Sequence, residues 1–267
     1  MIRVVVAGSS GWVGKALIPA ICAEKDLVIA GAVSRGSAGQ DAGAAAGLPA
    51  LGVTTAATLV AALQVPSDVV VDYTKPEAVK AHVLAAIEAG RRVVVGTSGL
   101  GAADYAEIEA LAQRQQVGVV AAGNFSITAT LLKRFALVAA RYVPDVEIID
   151  YASAKKPDAP SGTARELAEA LAGVRGPSTA RPVADITGVP GTRGAAVGAT
   201  PGVLVHALRL PSYILSCEAL FGLPDERLTI RHDAGSSAAP YVAGTLLAIR
   251  RVMDITGLVR GLDNLID

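Results

Sequence analysis

Residues Ile2 to Ala7 form a short run of apolar, largely β-branched side chains, and Lys15 to Ala23 then repeats its apolar positions with helical spacing. The pattern recurs. Leu27 to Val33, Asp68 to Asp72, Arg92 to Val95 and Val117 to Ala121 read as further strands, with helical segments over Glu77 to Ala89 and Tyr105 to Gln115 between them. Strands and helices alternating at this length imply a parallel sheet with helices on both faces.

The second half of the chain changes character. Ile127 to Arg141 predicts a long helix leading out of the first domain, and Val146 to Ala152 predicts a strand. Gly173 to Thr200 is rich in Gly, Pro, Ala and Thr, with Gly188-Val189-Pro190-Gly191-Thr192-Arg193 near its centre, and reads as a mobile excursion or lid. Val203 to Leu210, Tyr213 to Phe221 and Arg227 to Arg231 predict three antiparallel strands. A last helix over Tyr241 to Thr256 is expected to return to the first domain. The expected fold class is therefore α/β, a Rossmann-like doubly wound parallel sheet with a second α+β domain containing a small mixed or antiparallel sheet. Residues 1–126 with 240–267 make the first domain and 127–239 the second. No internal repeat or low-complexity tail interrupts this organisation.

The chain has 267 residues, with 24 basic and 24 acidic side chains. A net charge of zero gives no electrostatic support to a nucleic-acid or anionic-membrane partner. Its apolar runs stay far below the roughly 18 residues that a membrane span needs. The start reads as a strand and lacks the features of a signal peptide, so a cytoplasmic location is expected. Cys22 and Cys217 are too few for a disulfide framework or a metal cluster, and no metal is expected.

Candidate chemistry begins at the turn Gly8-Ser9-Ser10-Gly11-Trp12-Val13-Gly14, between the first strand and the first helix. Its G-x-x-G-x-x-G spacing in that context suits a dinucleotide pyrophosphate, with Gly8 for the tight turn, Gly11 for backbone approach and Gly14 for close packing. The alternative is a glycine-rich turn with no ligand. Where such folds read the adenosine ribose, the chain offers Ser34 and Arg35 instead of an acidic residue, favouring the 2′-phosphate of NADP, with NAD as the alternative. The strand tips at Asp72-Tyr73-Thr74, Gly96-Thr97-Ser98 and Asn124-Phe125 are expected to share one crevice beyond the carboxyl ends of the strands.

The other candidate is Lys155-Lys156-Pro157-Asp158-Ala159-Pro160-Ser161-Gly162-Thr163-Ala164. Ser161 is a natural N-cap for the helix that follows. The N–H groups of Ser161, Gly162 and Thr163 near a lysine ammonium would hold a carboxylate or phosphate. An ordinary capped helix with two solvated lysines is the plain alternative.

With these pieces in order, the chain resembles the dihydrodipicolinate (4-hydroxy-tetrahydrodipicolinate) reductases of bacterial lysine and diaminopimelate biosynthesis. The likeness covers nearly the whole length and is carried by the glycine turn, Asp72-Tyr73-Thr74 with Pro76, Gly96-Thr97-Ser98-Gly99, Asn124-Phe125-Ser126 and, above all, Lys156 to Ala164. It implies hydride transfer from NAD(P)H to a cyclic imine dicarboxylate. It also implies a homotetramer joined through the second domain's sheet, and a small carboxylate substrate held by Lys156. The family's pair of histidines is replaced here by Ala152 and Ser153, and the loop Asp233 to Ala239 lacks the family's later arginine. An alanine cannot transfer a proton, so Tyr151, Ser153, Lys155 or a water becomes the candidate donor. His206 and His232 are expected to be structural, and His82 to lie on the surface far from the strand ends. Two alternatives stand beside the family's reaction: a paralogue reducing another imine or carbonyl, and a catalytically silent NADP-binding protein.

Overall fold

A computed structural model describes residues 1–189 and 191–266; Pro190, within the expected lid, and Asp267 lie outside the described residues. The elements run, in chain order, β1 (Ile2–Ala7), α1 (Trp12–Ala23), β2 (Leu27–Val33), α2 (Ala42–Ala45), β3 (Thr55–Ala56), α3 (Leu59–Ala62), β4 (Val69–Asp72), α4 (Pro76–Glu88), β5 (Arg92–Val95), α5 (Ala102–Gln115) and β6 (Gly118–Ala121). There follow α6 (Ile127–Ala140), β7 (Val146–Ala152), α7 (Gly162–Ala172), β8 (Ala195–Val197), β9 (Val203–Arg209), β10 (Leu215–Leu223), β11 (Glu226–Ala234), α8 (Ala239–Arg251) and β12 (Gly257–Arg260). The chain divides into two compact units, 1–127 with 238–267, and 128–237.

In the first unit a parallel sheet has the order β12-β6-β5-β4-β1-β2-β3. Alternate side chains of each strand enter opposite cores. Val4, Val6, Val69, Val71, Val94 and Val120 pack with Leu17, Ile18 and Ile21 of α1 and with Leu246, Ala248 and Ile249 of α8. Val5, Val70, Val93, Val95 and Val119 pack with Val79, Val83 and Ile87 of α4 and with Ile108 and Leu111 of α5. This burial on both faces explains why the strands read as continuous apolar runs. The strand order reverses between β1 and β4, the position where such sheets open a crevice at their carboxyl ends.

The second unit has a mixed sheet in the order β11-β10-β7-β9-β8. One face carries Val146, Ile148, Val205, Cys217, Ala219 and Phe221, covered by Leu132, Ala136 and Ala140 of α6 and Ala164, Leu167, Ala168 and Leu171 of α7. Of the three strands expected to form one antiparallel group, β10 and β11 pair antiparallel as expected, but β9 is separated from them. β7 lies between β9 and β10, parallel to the former and antiparallel to the latter. The excursion after α7 is anchored at two points: Thr179 donates its N–H to Asp145 at 2.8 Å, and β8 pairs with β9. The last helix ends at Arg251, five residues before the expected limit, and the chain adds β12 to the first sheet beside β6. Among the described residues no helix is long and apolar enough to cross a membrane.

Candidate active site

The glycine turn leaves β1 at the reversal point. Gly8 has φ +85°, and a Cβ there would lie 2.2 Å from the Tyr73 carbonyl oxygen. A Cβ on Gly14 would lie 2.2 Å from the Gly8 carbonyl oxygen, so the helix start is pressed onto the turn itself. Gly11 is the N-cap of α1 and offers no side-chain cap, which leaves the first N–H groups of that helix for an anion. These features fit a dinucleotide pyrophosphate. Ser10 and Ser34 share a 2.6 Å hydroxyl contact, Ser34 is buried, and Arg35 is exposed with no ion pair among the described residues. Trp12 is largely exposed and meets the edge of Tyr241 at 5.6 Å, while Val13 is half-buried against the core.

Asp72 organises the neighbouring tips. Its fully buried carboxylate accepts from the Thr74 N–H (3.0 Å), the Thr74 hydroxyl (2.7 Å), the Thr97 hydroxyl (2.6 Å) and His82 Nδ1 (2.8 Å). The Thr74 N–H also reaches Thr97 Oγ1 at 2.7 Å. Side chains from β4, α4 and the tip of β5 thus converge on one charge, which keeps a buried carboxylate satisfied. His82 therefore does not lie far from the strand ends. One face of α4 turns it back onto the last residue of β4, because position 82 is half-buried on the helix side that faces the sheet.

The side chains of Tyr73 and Phe125 are turned into the core rather than presented at the strand tips. Tyr73 bonds the Thr245 hydroxyl at 2.8 Å, its ring lies where a Cβ of Gly96 would be, and burial raises its phenol well above the ordinary value. Phe125 is 1% exposed, packs edge-on to Tyr73, and its carbonyl lies against Gly244 of α8. Asn124 turns its side-chain oxygen to the Ser126 N–H at 2.8 Å, and Ser98 is exposed beyond β5.

In the second unit, Ser161 caps α7 through its contact with the Ala164 N–H. Its other polar capacity is spent inward. The buried Ser161 gives its N–H to Asp150 Oδ2 and its hydroxyl to Asp150 Oδ1, both at 2.7 Å. Gly162 is exposed, with nothing within 4 Å of a Cβ, and Thr163 follows at the helix mouth. The Lys156 ammonium stands 2.7 Å from Asp158, whose carboxyl it holds below the ordinary range. Asp150 itself is paired with Arg209 at 2.8 Å.

Tyr151 is buried and donates its hydroxyl proton to Glu218 at 2.9 Å, with the Arg231 guanidinium 4.8 Å from its ring centre. Burial and the Glu218 charge raise its phenol, so its proton is held rather than offered. Ser153 sits in the turn after β7, where Oγ accepts from the Lys155 N–H. His206 bonds Glu147 at 2.7 Å; although burial opposes it, Arg193 and His206 hold Glu147 below its usual value. His232 is buried beside Thr128, and burial holds its imidazole below the ordinary value, with Asp233 opposing.

Asp150, Arg209, Glu218 and Thr245 were not singled out from the sequence. The available signal was an acidic residue inside an apolar strand, Asp150 in β7, eleven positions before the N-cap it serves, and Glu218 in β10.

Models of the family described as "Dihydrodipicolinate reductase, N-terminus" and "Dihydrodipicolinate reductase, C-terminus" match residues 2–125 and 127–266. The chain is 40% identical to the 4-hydroxy-tetrahydrodipicolinate reductase of Moorella thermoacetica, over 100% of this chain and 98% of that one. It is 39% identical to the protein of the same name from Synechococcus elongatus, over 99% and 98%. Among solved structures, a dipicolinate-bound dihydrodipicolinate reductase from Paenisporosarcina sp. TG-14 superposes with a TM-score of 0.87. It shares 31% identity and covers all of both chains.

Proposed function

The chain belongs to the dihydrodipicolinate reductase family, and on that premise we propose that it reduces 4-hydroxy-tetrahydrodipicolinate to tetrahydrodipicolinate with NADPH, in lysine and diaminopimelate biosynthesis. The observation that carries the reading is the stretch from Lys156 to Thr163, a cation and the start of a helix in one loop, with Gly162 exposed. Such a start is an anion site, and the substrate is a dicarboxylate.

Each unit has its part. The Gly8–Gly14 turn and the start of α1 take the pyrophosphate, and Ser34 with Arg35 takes a 2′-phosphate, which supports NADPH over NADH. The Asp72 network sets the tips of β4 and β5 around the nicotinamide. When bound, the reduced nicotinamide supplies the hydride. Lys156 and the Gly162–Thr163 helix mouth grip one carboxylate, which holds the imine still for transfer. With Tyr151 committed to Glu218, protonation falls to Ser153 or Lys155, both in the turn that precedes the lysine. A homotetramer through the second unit's sheet is supported by Ile149, Leu204 and Leu220, half-buried on the face away from α6 and α7.

Ala152 and Ser153 at the family's histidine positions favour a second reading, a paralogue acting on a different imine or carbonyl. The test is NADPH oxidation with freshly generated hydroxy-tetrahydrodipicolinate beside a panel of cyclic imines. Turnover of the dicarboxylate, with a Michaelis constant raised by Lys156→Ala and NADPH affinity intact, is expected. Turnover confined to a simple imine would replace the first reading with the second.

A further inference from the structure

We propose that Arg209 is a positioning residue for the substrate's carboxylate seat: paired with Asp150, it holds the Lys156–Ser161 loop in its binding shape without touching substrate. The proposal rests on the reading of Lys156 and the α7 start as that seat.

Arg209 is the last residue of β9 and lies beside Ala152 in the register with β7. Its Nη2 donates to Asp150 Oδ2 and to the Asp158 carbonyl, each at 2.8 Å. Its Nη1 donates to the Leu208 carbonyl at 2.8 Å and to the Asp150 carbonyl at 3.3 Å. The same Asp150 carboxylate takes the N–H and hydroxyl of Ser161, the N-cap of α7. One largely buried ion pair therefore grips the loop twice, at Asp158 and at Ser161. The carboxylate of Asp158 in turn meets the Lys156 ammonium at 2.7 Å. A continuous set of contacts runs from the sheet to both parts of the seat.

The guanidinium's chemistry suits this task. A planar fork reaches in several fixed directions at once, which a lysine ammonium on a flexible stem does not reproduce. Its Nε is buried without a partner, so the group gives up one donor to keep the contacts made by the other two nitrogens. Asp150 is fully buried and cannot reach solvent or ligand. The pair has no evident use except to shape what lies above it.

Removing Arg209 alone would strand a buried carboxylate and risk the fold. Two variants avoid this: Arg209→Lys, which retains the charge, and the double variant Asp150→Asn with Arg209→Met, which removes both charges. Each is compared with the wild type by amide exchange of residues 156–163, by binding of dipicolinate to the NADPH complex, and by NADPH affinity. The expected result is faster exchange confined to that segment and dipicolinate binding weakened about tenfold or more, as for a lost charged hydrogen bond. NADPH affinity should be unchanged. Unchanged exchange, or faster exchange with unchanged dipicolinate affinity, would overturn the proposal. If the wild type binds no dipicolinate, or Lys156→Ala binds it equally well, the seat itself is wrong and the proposal goes with it.

Discussion

Gly14→Ala is the sharpest test of the cofactor turn. The added methyl would lie 2.2 Å from the Gly8 carbonyl oxygen and 2.8 Å from Ser9 Cα, both backbone atoms. Ordinary contact begins near 3.5 Å, so the turn must open by about 1 Å. It has little freedom to do so: the Gly8 N–H is bound to Val33 O at 3.0 Å and the Gly11 N–H to Gly8 O at 2.9 Å. Overpacking of this kind costs about 1–3 kcal/mol. At about 2–4 °C per kcal/mol for a domain of this size, that lowers the melting temperature by roughly 2–12 °C. The larger effect falls on function, because a shift of about 1 Å in a positioned group can cost on the order of 10²-fold. Thermal melts and fluorescence titration with NADPH measure the two effects, with Gly222→Ala as control, since nothing lies within 4 Å of its Cβ. A Gly14→Ala protein that melts and binds NADPH like the wild type would refute the argument that this helix start is pressed against a phosphate-binding turn.

Three further outcomes are expected. Asp72→Asn replaces an acceptor of four hydrogen bonds with a group that cannot accept from all of them, so denaturant titration should show a loss of about 1–3 kcal/mol, and an unchanged midpoint would contradict it. Burial holds His232 below its ordinary value of 6.5, so the unfolded chain takes up a proton before the folded one does. Its share of stability is complete above pH 6.5 and is lost as pH falls through the lower folded value. His232→Gln should therefore flatten the fall of melting temperature with acidity below pH 6.5, and an identical slope would count against a buried neutral imidazole. Arg35→Ala should weaken NADPH binding by about tenfold while barely touching NADH; equal losses would remove the case for a 2′-phosphate contact.

The sequence by itself determined the class and the longer elements, while the short α2, β3, α3, β8 and β12 were not legible in it. Unbroken β-branched runs such as Val4 to Val6 and Val69 to Val71 read as strands buried on both faces, and glycines at 8 and 14 mark a turn too tight for side chains. The N-cap at Ser161 was equally legible, because capping is decided within three residues, here by the Ala164 N–H. Only the tertiary structure decided what those elements bring together. The insertion of β7 between β9 and β10 depends on registers between distant segments, which no local periodicity encodes. The same is true of His82 on Asp72, Tyr151 on Glu218 and Arg209 on Asp150, the last two pairs joined across 67 and 59 positions. A helical or strand period reports which face a residue occupies, but a buried charge is placed by the partners that satisfy it, and those are chosen by the fold.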